Sequence, residues 1–359
     1  MKTMEAAEES SEDRGKESIM KKNWKAAFLA GLSLSLCLSL AGCLGGGGGG
    51  TPGKPKSELP ERKKISTPVA SSFKVDDRTV NIYEYTGLTF RDQTLWTETL
   101  AVDGDRIYFF GFDNKEKTYR TKLRSVRYQD ETLSDLKVLD GRALWRHRLV
   151  VSNGTVYDWH KKGDYKTTRD KSPEFWHYYD GKAMVATNLT GMSLIPIDQE
   201  KDVVYTQGAN YWIGTLDKGN LTQGKQFLSG EEIRKAPINL KKRWADKDGL
   251  YLMGYTKNDK GEEYNVVRQF SLENGQLLQS FEGPPTKEGR GYAVTEHRVV
   301  MGQKGGIYWI YNKKDGKLLG KFKTEPKLTM EILTPMKNDS ILIYRRINRD
   351  EAKLYRMDL

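Results

Sequence analysis

The side chains best suited to chemistry gather in one stretch of the chain. His147, His160 and His177 lie within 31 residues of one another, beside Trp145, Trp159, Trp176, Tyr157, Tyr178 and Tyr179. Aromatic rings offer flat faces for stacking on sugars, and imidazoles hold metals or move protons. Trp145, Trp159, His160, Trp176 and His177 are therefore the candidate ligand-binding set. The competing reading is strand alternation, in which each Trp–His neighbourhood buries one side chain and exposes the next. Catalytic machinery is not legible: HExxH, His-x-His and Gly-x-Ser-x-Gly do not occur, and metal-ligand spacing is absent. Residues 302–306 (Gly-Gln-Lys-Gly-Gly) lack the Walker spacing and a following helix, so they read as a hairpin turn. No catalytic residue, metal or cofactor is assigned.

The chain has two cysteines, Cys37 and Cys43, and none in the 316 residues that follow. A disulfide, a thiol nucleophile or a cysteine-based metal site is thereby excluded from the rest of the chain. Residues 20–43 run Met-Lys-Lys-Asn-Trp-Lys, then an apolar segment from Ala26 to Leu40, then Ala41-Gly42-Cys43. A cationic start, an apolar stretch of about 15 residues and small residues at the end compose a secretory signal. The stretch is shorter than the roughly 20 residues a spanning helix needs. Leu40-Ala41-Gly42-Cys43 resembles the lipobox of bacterial lipoproteins. The resemblance implies that Cys43 is diacylated and becomes the mature N-terminus, anchored to the cell membrane or outer membrane with the domain outside the cytoplasm. Residues 1–19 carry six acidic side chains and fit a signal badly, so the expected start is Met20 and the first 19 residues form a doubtful extension.

Residues 1–42 carry six basic and six acidic side chains, which leaves the whole net charge of +11 to the remainder. A basic surface of that kind attracts anionic lipid, wall polymers or nucleic acid. The lysines are scattered through turns rather than aligned on a helix or stripe, which argues against nucleic acid. Gly45 to Gly50 and a proline-bearing segment follow Cys43, so residues 43–73 read as a flexible tether and 74–359 as the folded domain.

Within the domain, the elements that must position any site are strands. Short apolar runs start near Ile107, Leu149, Ala183, Val203, Leu250, Val299 and Ile341. Most follow a polar turn, such as Asp103-Gly104, Asp180-Gly181, Asp248-Gly249 or Asn338-Asp339, whose residues adopt the positive φ of tight hairpins. Only short helices are expected, such as residues 230–235. Asn274-Gly275-Gln276-Leu277-Leu278 with Phe281 matches Asp315-Gly316-Lys317-Leu318-Leu319 with Phe322, each pair 41 residues apart. A period of about 40 to 48 residues with several strands per unit is the signature of propeller blades. The pattern resembles the loose repeat of PQQ-type bacterial β-propellers, which implies an all-β propeller. The expected count is about seven blades, with six as the alternative, and residues 203–214 read as an extra or degenerate blade. A pair of β-sandwiches is the rival architecture. The strands at residues 79–85 and 354–359 are expected to share one blade and close the ring.

The preferred functional reading is a non-catalytic binding or scaffolding lipoprotein of the cell envelope. It is broadly similar to the propeller lipoprotein that assists outer-membrane protein assembly, although no docking motif is matched. Its partners are expected to be the membrane through the lipid, and an envelope protein or anionic polymer. The alternatives are an enzyme or binder acting on envelope glycans through the 145–179 cluster, and an envelope sensor of small ligands.

Overall fold

The computed structural model describes residues 63–359 apart from 65, 87–99, 105, 113–120, 128–131, 140–147, 162–173, 286–288, 304, 325–329 and 347–351. The segment expected to be a signal, Cys43, Trp145 and most of the expected tether lie outside the described residues. Residues Glu58–Leu359 gather into one compact unit.

The strands arrange as six sheets, and each sheet is a propeller blade. Three strands come before the first blade: β1 (Lys63–Lys64), β2 (Val69–Val75) and β3 (Arg78–Glu84). From the innermost strand outwards, blade 1 holds β4 (Leu100–Asp103), β5 (Arg106–Phe112), β6 (Thr121–Arg127) and β7 (Thr132–Leu139). Blade 2 holds β8 (Arg148–Ser152), β9 (Thr155–Lys161), β10 (Glu174–Tyr179) and β11 (Met184–Thr190). Blade 3 holds β12 (Leu194–Pro196), β13 (Asp202–Gln207), β14 (Asn210–Asp217) and β15 (Asn220–Leu228), and is followed by the short helix α1 (Gly230–Lys235). Blade 4 holds β16 (Asn239–Asp246), β17 (Gly249–Lys257), β18 (Glu263–Phe270) and β19 (Leu277–Pro285). Blade 5 holds β20 (Gly289–Val294), β21 (Arg298–Gln303), β22 (Ile307–Asn312) and β23 (Leu318–Lys323). Blade 6 begins with β24 (Met330–Pro335), β25 (Ser340–Arg346) and β26 (Ala352–Asp358), and is completed by β3 and then β2 from the start of the domain.

Asp358 pairs with Asn81 and Met357 with Ile82, so the two ends of the domain share one blade as expected. This closure converts an open row of sheets into a ring and removes a free edge. The register also moves the domain boundary. Residues 63–73 were expected to belong to the tether, yet β1 pairs with β7 and β2 pairs with β3, so the folded part begins before residue 74. An added outer strand takes its hydrogen bonds from a neighbour and needs no apolar run of its own. That is why polar sequence hid it.

The ring is held by six apolar clusters, one at each junction between neighbouring blades. Ala101 and Tyr108 meet Leu149 and Val151 between blades 1 and 2, and Tyr157 and Trp176 meet Val203 and Tyr205 between blades 2 and 3. Leu250 and Leu252 pack towards blade 3, whereas Tyr251 and Met253 on the same strand pack towards blade 5. Phe109 and Leu342 join blades 1 and 6, and Ile310 and Ile343 join blades 5 and 6. Successive side chains point to opposite faces of a strand, and here both faces are covered. In every blade but the second, the second strand therefore carries an apolar run, and each of its fully buried aliphatic side chains contributes about 1.5–3 kcal/mol of transfer free energy.

Six blades, not the preferred seven, follow from where those runs fall. Second strands begin at Arg106, Thr155, Asp202, Gly249, Arg298 and Ser340, at intervals of 42 to 49 residues. The runs near Leu149 and Ala183 both belong to blade 2, as its first and last strands. Residues 203–214 are no extra unit; they form the middle of blade 3, whose innermost strand is only three residues long. The matched segments at 274–281 and 315–322 occupy the same turn in blades 4 and 5. Gly275 has φ +72° and Gly316 φ +71°, and Gly275 and Gly316 donate to the carbonyls of Ser271 and Asn312, each at 3.0 Å. Helix α1 forms where the sequence placed it, capped by Ser229, whose hydroxyl accepts from the Glu232 amide. Gly305 and Gly306 lie in the turn between β21 and β22, with φ +91° and +75°.

Candidate functional site

The innermost strands surround a chamber of about 130 Å³ on the propeller axis. Its wall is mostly apolar, built from residues such as Leu149, Val151, Leu194 and Ile195, with Trp176 and Trp244 beside them. Among the described lining residues every charged side chain is a cation: Arg148 on β8, and Lys242 and Arg243 on β16. Alternation along β16 sends those last two to opposite sides. Lys242 Nζ donates to the carbonyl of Tyr292 on β20 at 3.2 Å and to that of Leu333 on β24, so it ties blade 4 to blades 5 and 6. Arg243 turns towards blade 3, where its Nε donates to the Tyr211 hydroxyl at 3.1 Å. The Arg148 guanidinium lies 5.0 Å from the Trp159 ring centre, a cation–π distance.

One end of the chamber is bounded by a collar of turns, those between first and second strands and, in blade 5, the turn between third and fourth strands as well. Gln199 lies at its centre with φ +64°, and its side chain crosses from blade 3 to blade 1, donating to the carbonyl of Val102 and accepting from the Gly104 amide at 3.5 Å. Its own carbonyl accepts from the Asn153 amide of blade 2 at 2.5 Å. Asp198 accepts from the Lys247 amide of blade 4 at 2.9 Å. Lys313 of blade 5 reaches Asp246 and Asp248 of blade 4 at 2.9 and 2.6 Å. Asp339 of blade 6 accepts from Thr295 Oγ1 and the His297 amide of blade 5, both at 2.7 Å. Deeper between blades 5 and 6, the buried Arg345 donates through Nη2 to the Tyr308 hydroxyl and Thr324 Oγ1, both at 2.8 Å.

The residues singled out from sequence are placed as follows. Trp159 and Trp176 are register partners on β9 and β10, and so share the face towards blade 3. Trp176 is 1% exposed, donates from its indole nitrogen to the Met192 carbonyl at 3.1 Å, and contributes to the chamber wall. His177 is buried on the opposite face of the blade, across from the buried Asp158. His160 pairs with Phe175 in the β9–β10 ladder, and its side chain lies outside the described set. Cys43 and Trp145 lie outside the described residues altogether. Among the described residues no group of three His, Cys, Asp or Glu side chains is placed to hold a metal. No helix among them is long and apolar enough to cross a membrane.

The sequence reading missed Arg148, Gln199, Lys242 and Arg243. A signal existed for two of them: residues 241–244, Lys-Lys-Arg-Trp, interrupt a strand with charge at a place where propeller strands are otherwise apolar.

The strand order and the closed ring define a six-bladed β-propeller with a cation-bearing central chamber. No protein-family model matches the chain, and no curated protein matches it in sequence. Among solved structures it is similar to BamB from Moraxella catarrhalis, at 12% identity and a TM-score of 0.43, over 83% of this chain and 98% of that one. It is similar to YjhT at 12% identity and a TM-score of 0.45, over 75% and 94% of the two chains. It is also similar to KlHsv2 with loop 6CD replaced by a Gly-Ser linker, at 10% identity and a TM-score of 0.38, over 69% and 89%.

Proposed function

We propose that this protein is a lipoprotein, anchored through Cys43, whose propeller serves as a non-catalytic binding or scaffolding module in the cell envelope. The observation that carries this reading is the route of the chain into the ring. β1 lies on the outer edge of blade 1 and β2 on the outer edge of blade 6. The chain thus joins the domain at its rim. A linker from a membrane anchor would hold the propeller by that rim and leave its turn-bearing faces to partners. The collar adds rigidity, since its turns are joined by side chains across blade boundaries. A rigid face loses little conformational entropy when a partner docks. The basic balance of the chain suits a partner or polymer that carries negative charge.

The test has two parts. Metabolic labelling with a fatty acid should mark the wild type, whereas Cys43→Ser should lose both the label and membrane association. Photo-cross-linkers placed at exposed positions of the collar face, such as Lys337 or Lys314, should then recover one defined envelope component from intact cells. A labelled, membrane-bound protein that captures no specific component from the collar face would overturn the scaffold reading.

A further inference from the structure

We propose that the axial chamber is a binding site for a small organic monoanion, a carboxylate with an apolar body, held by the fork of Arg243. This goes beyond a scaffolding role, which needs no small ligand.

Three observations converge on it. Arg243 uses only its Nε on protein, for the Tyr211 hydroxyl, and its two terminal nitrogens make no hydrogen bond or ion pair among the described residues. A guanidinium oriented through one nitrogen presents the others as a planar fork, which matches the two oxygens of a carboxylate. Lys242 and Arg148 line the same chamber, and none of its described lining residues is acidic. The rest of the wall is apolar, with Leu149, Val151, Leu194, Ile195, Trp176 and Trp244 as its larger members. Burying a bare inorganic anion against that wall would cost hydration without apolar contact in return, whereas an aliphatic or aromatic body gains from it.

Size narrows the class further. A chamber of about 130 Å³ is close to the roughly 150 Å³ cavity that accommodates benzene. The occupant therefore has roughly six to ten non-hydrogen atoms, in the range of benzoate or a short-chain fatty acid. A nucleotide or an oligosaccharide exceeds what the chamber itself holds.

The experiment titrates the purified, membrane-extracted protein with benzoate and hexanoate. Benzamide, hexanamide and inorganic phosphate serve as matched controls. Calorimetry gives affinity, and tryptophan emission reports on Trp176 and Trp244 in the wall. The carboxylates are expected to bind at least about tenfold more tightly than the amides and than phosphate. Arg243→Gln should weaken carboxylate binding by about tenfold or more, and Arg234→Gln on helix α1 should leave it unchanged. If Arg243→Gln fails to fold, Tyr211→Phe decides, because it frees the guanidinium without removing its charge. It should weaken binding by roughly threefold or more. Equal affinity for acids and amides, phosphate binding as tight as benzoate, no binding up to roughly 10 mM, or an unchanged affinity in the deciding variant would each overturn the proposal. None of these outcomes bears on the cross-linking that tests the scaffold, so the two readings fail separately.

Discussion

Lys313 and Asp246 form an ion pair across the junction of blades 4 and 5, with Nζ 2.9 Å from Oδ2 and both side chains more than nine-tenths buried. Asp248 adds a second contact at 2.6 Å from its more exposed position. Burial works against each charge alone, so the arrangement persists because the charges are buried together. Lys313→Met should strand the Asp246 carboxylate and lower unfolding free energy by about 3–5 kcal/mol. The double variant Asp246→Asn with Lys313→Met should recover most of that loss. Urea unfolding of the three proteins checks this, and a double variant no more stable than the single one would refute the pairing as the cause.

The same lysine predicts a loss of stability in alkali. Burial by itself favours its neutral form, but the Asp246 charge and the hydrogen bonds to Asp248 and Asp246 outweigh it and hold the pKa above the ordinary 10.5. A group whose folded pKa is raised stabilises fully below its unfolded value and loses that contribution as pH climbs through the folded one. The stability difference between the wild type and the uncharged double variant should therefore stay level from about pH 7 to 10 and shrink above that. Unfolding midpoints measured across this range would expose a contrary slope.

Gln199 joins blade 3 to blade 1 from a left-handed backbone conformation, φ +64°, with partners 95 and 97 residues away. Gln199→Ala removes both side-chain hydrogen bonds and keeps the backbone cost, so it should destabilise by about 1–3 kcal/mol. Gln199→Gly loses the same bonds but accepts that φ freely, and should be the more stable of the two by up to about 1 kcal/mol. Thermal melts of the pair give the order; alanine at or above glycine would mean that the backbone carries no strain there.

The closing strand should matter to the whole ring. Leu354 and Met357 are fully buried and belong to the clusters at the two junctions of blade 6. Met357→Ala should cost about 2–4 kcal/mol. Deleting residues 354–359 also strips β3 of β26, leaving it paired only to β2, and reopens the ring. Loss of hydrogen-exchange protection is then expected in blades 1 and 5 as well as in blade 6. Protection that fell only locally would show that the blades hold together without closure.

Much of the fold was legible because it is written in short-range pattern. Positive-φ turn residues, the paired segments at 274–281 and 315–322, the helix at 230–235 and the strands at the two ends of the domain are local features, or copies of one another. The blade count was not. An apolar run records that both faces of a strand are covered, and not which place the strand takes in its sheet. Leu149–Val151 and Ala183–Val185 therefore looked like separate units although they bound one blade.

The aromatic and histidine stretch illustrates the same division. Its strands could be read from sequence, and with them the alternation that puts Trp159 and Trp176 on one face and His177 on the other. That Trp176 reaches the axial chamber depended on blade 2 packing against blade 3. The charged run at residues 241–243 was not singled out from sequence. Only closure of the ring placed Lys242 and Arg243 on the chamber wall, beside Arg148 from a blade far back in the chain. Sequence by itself determined the strands and their turns, since side-chain alternation and backbone preference act over a few residues. The tertiary structure decided the site, because its members come from strands about a hundred residues apart that meet only when six apolar junctions close on one another.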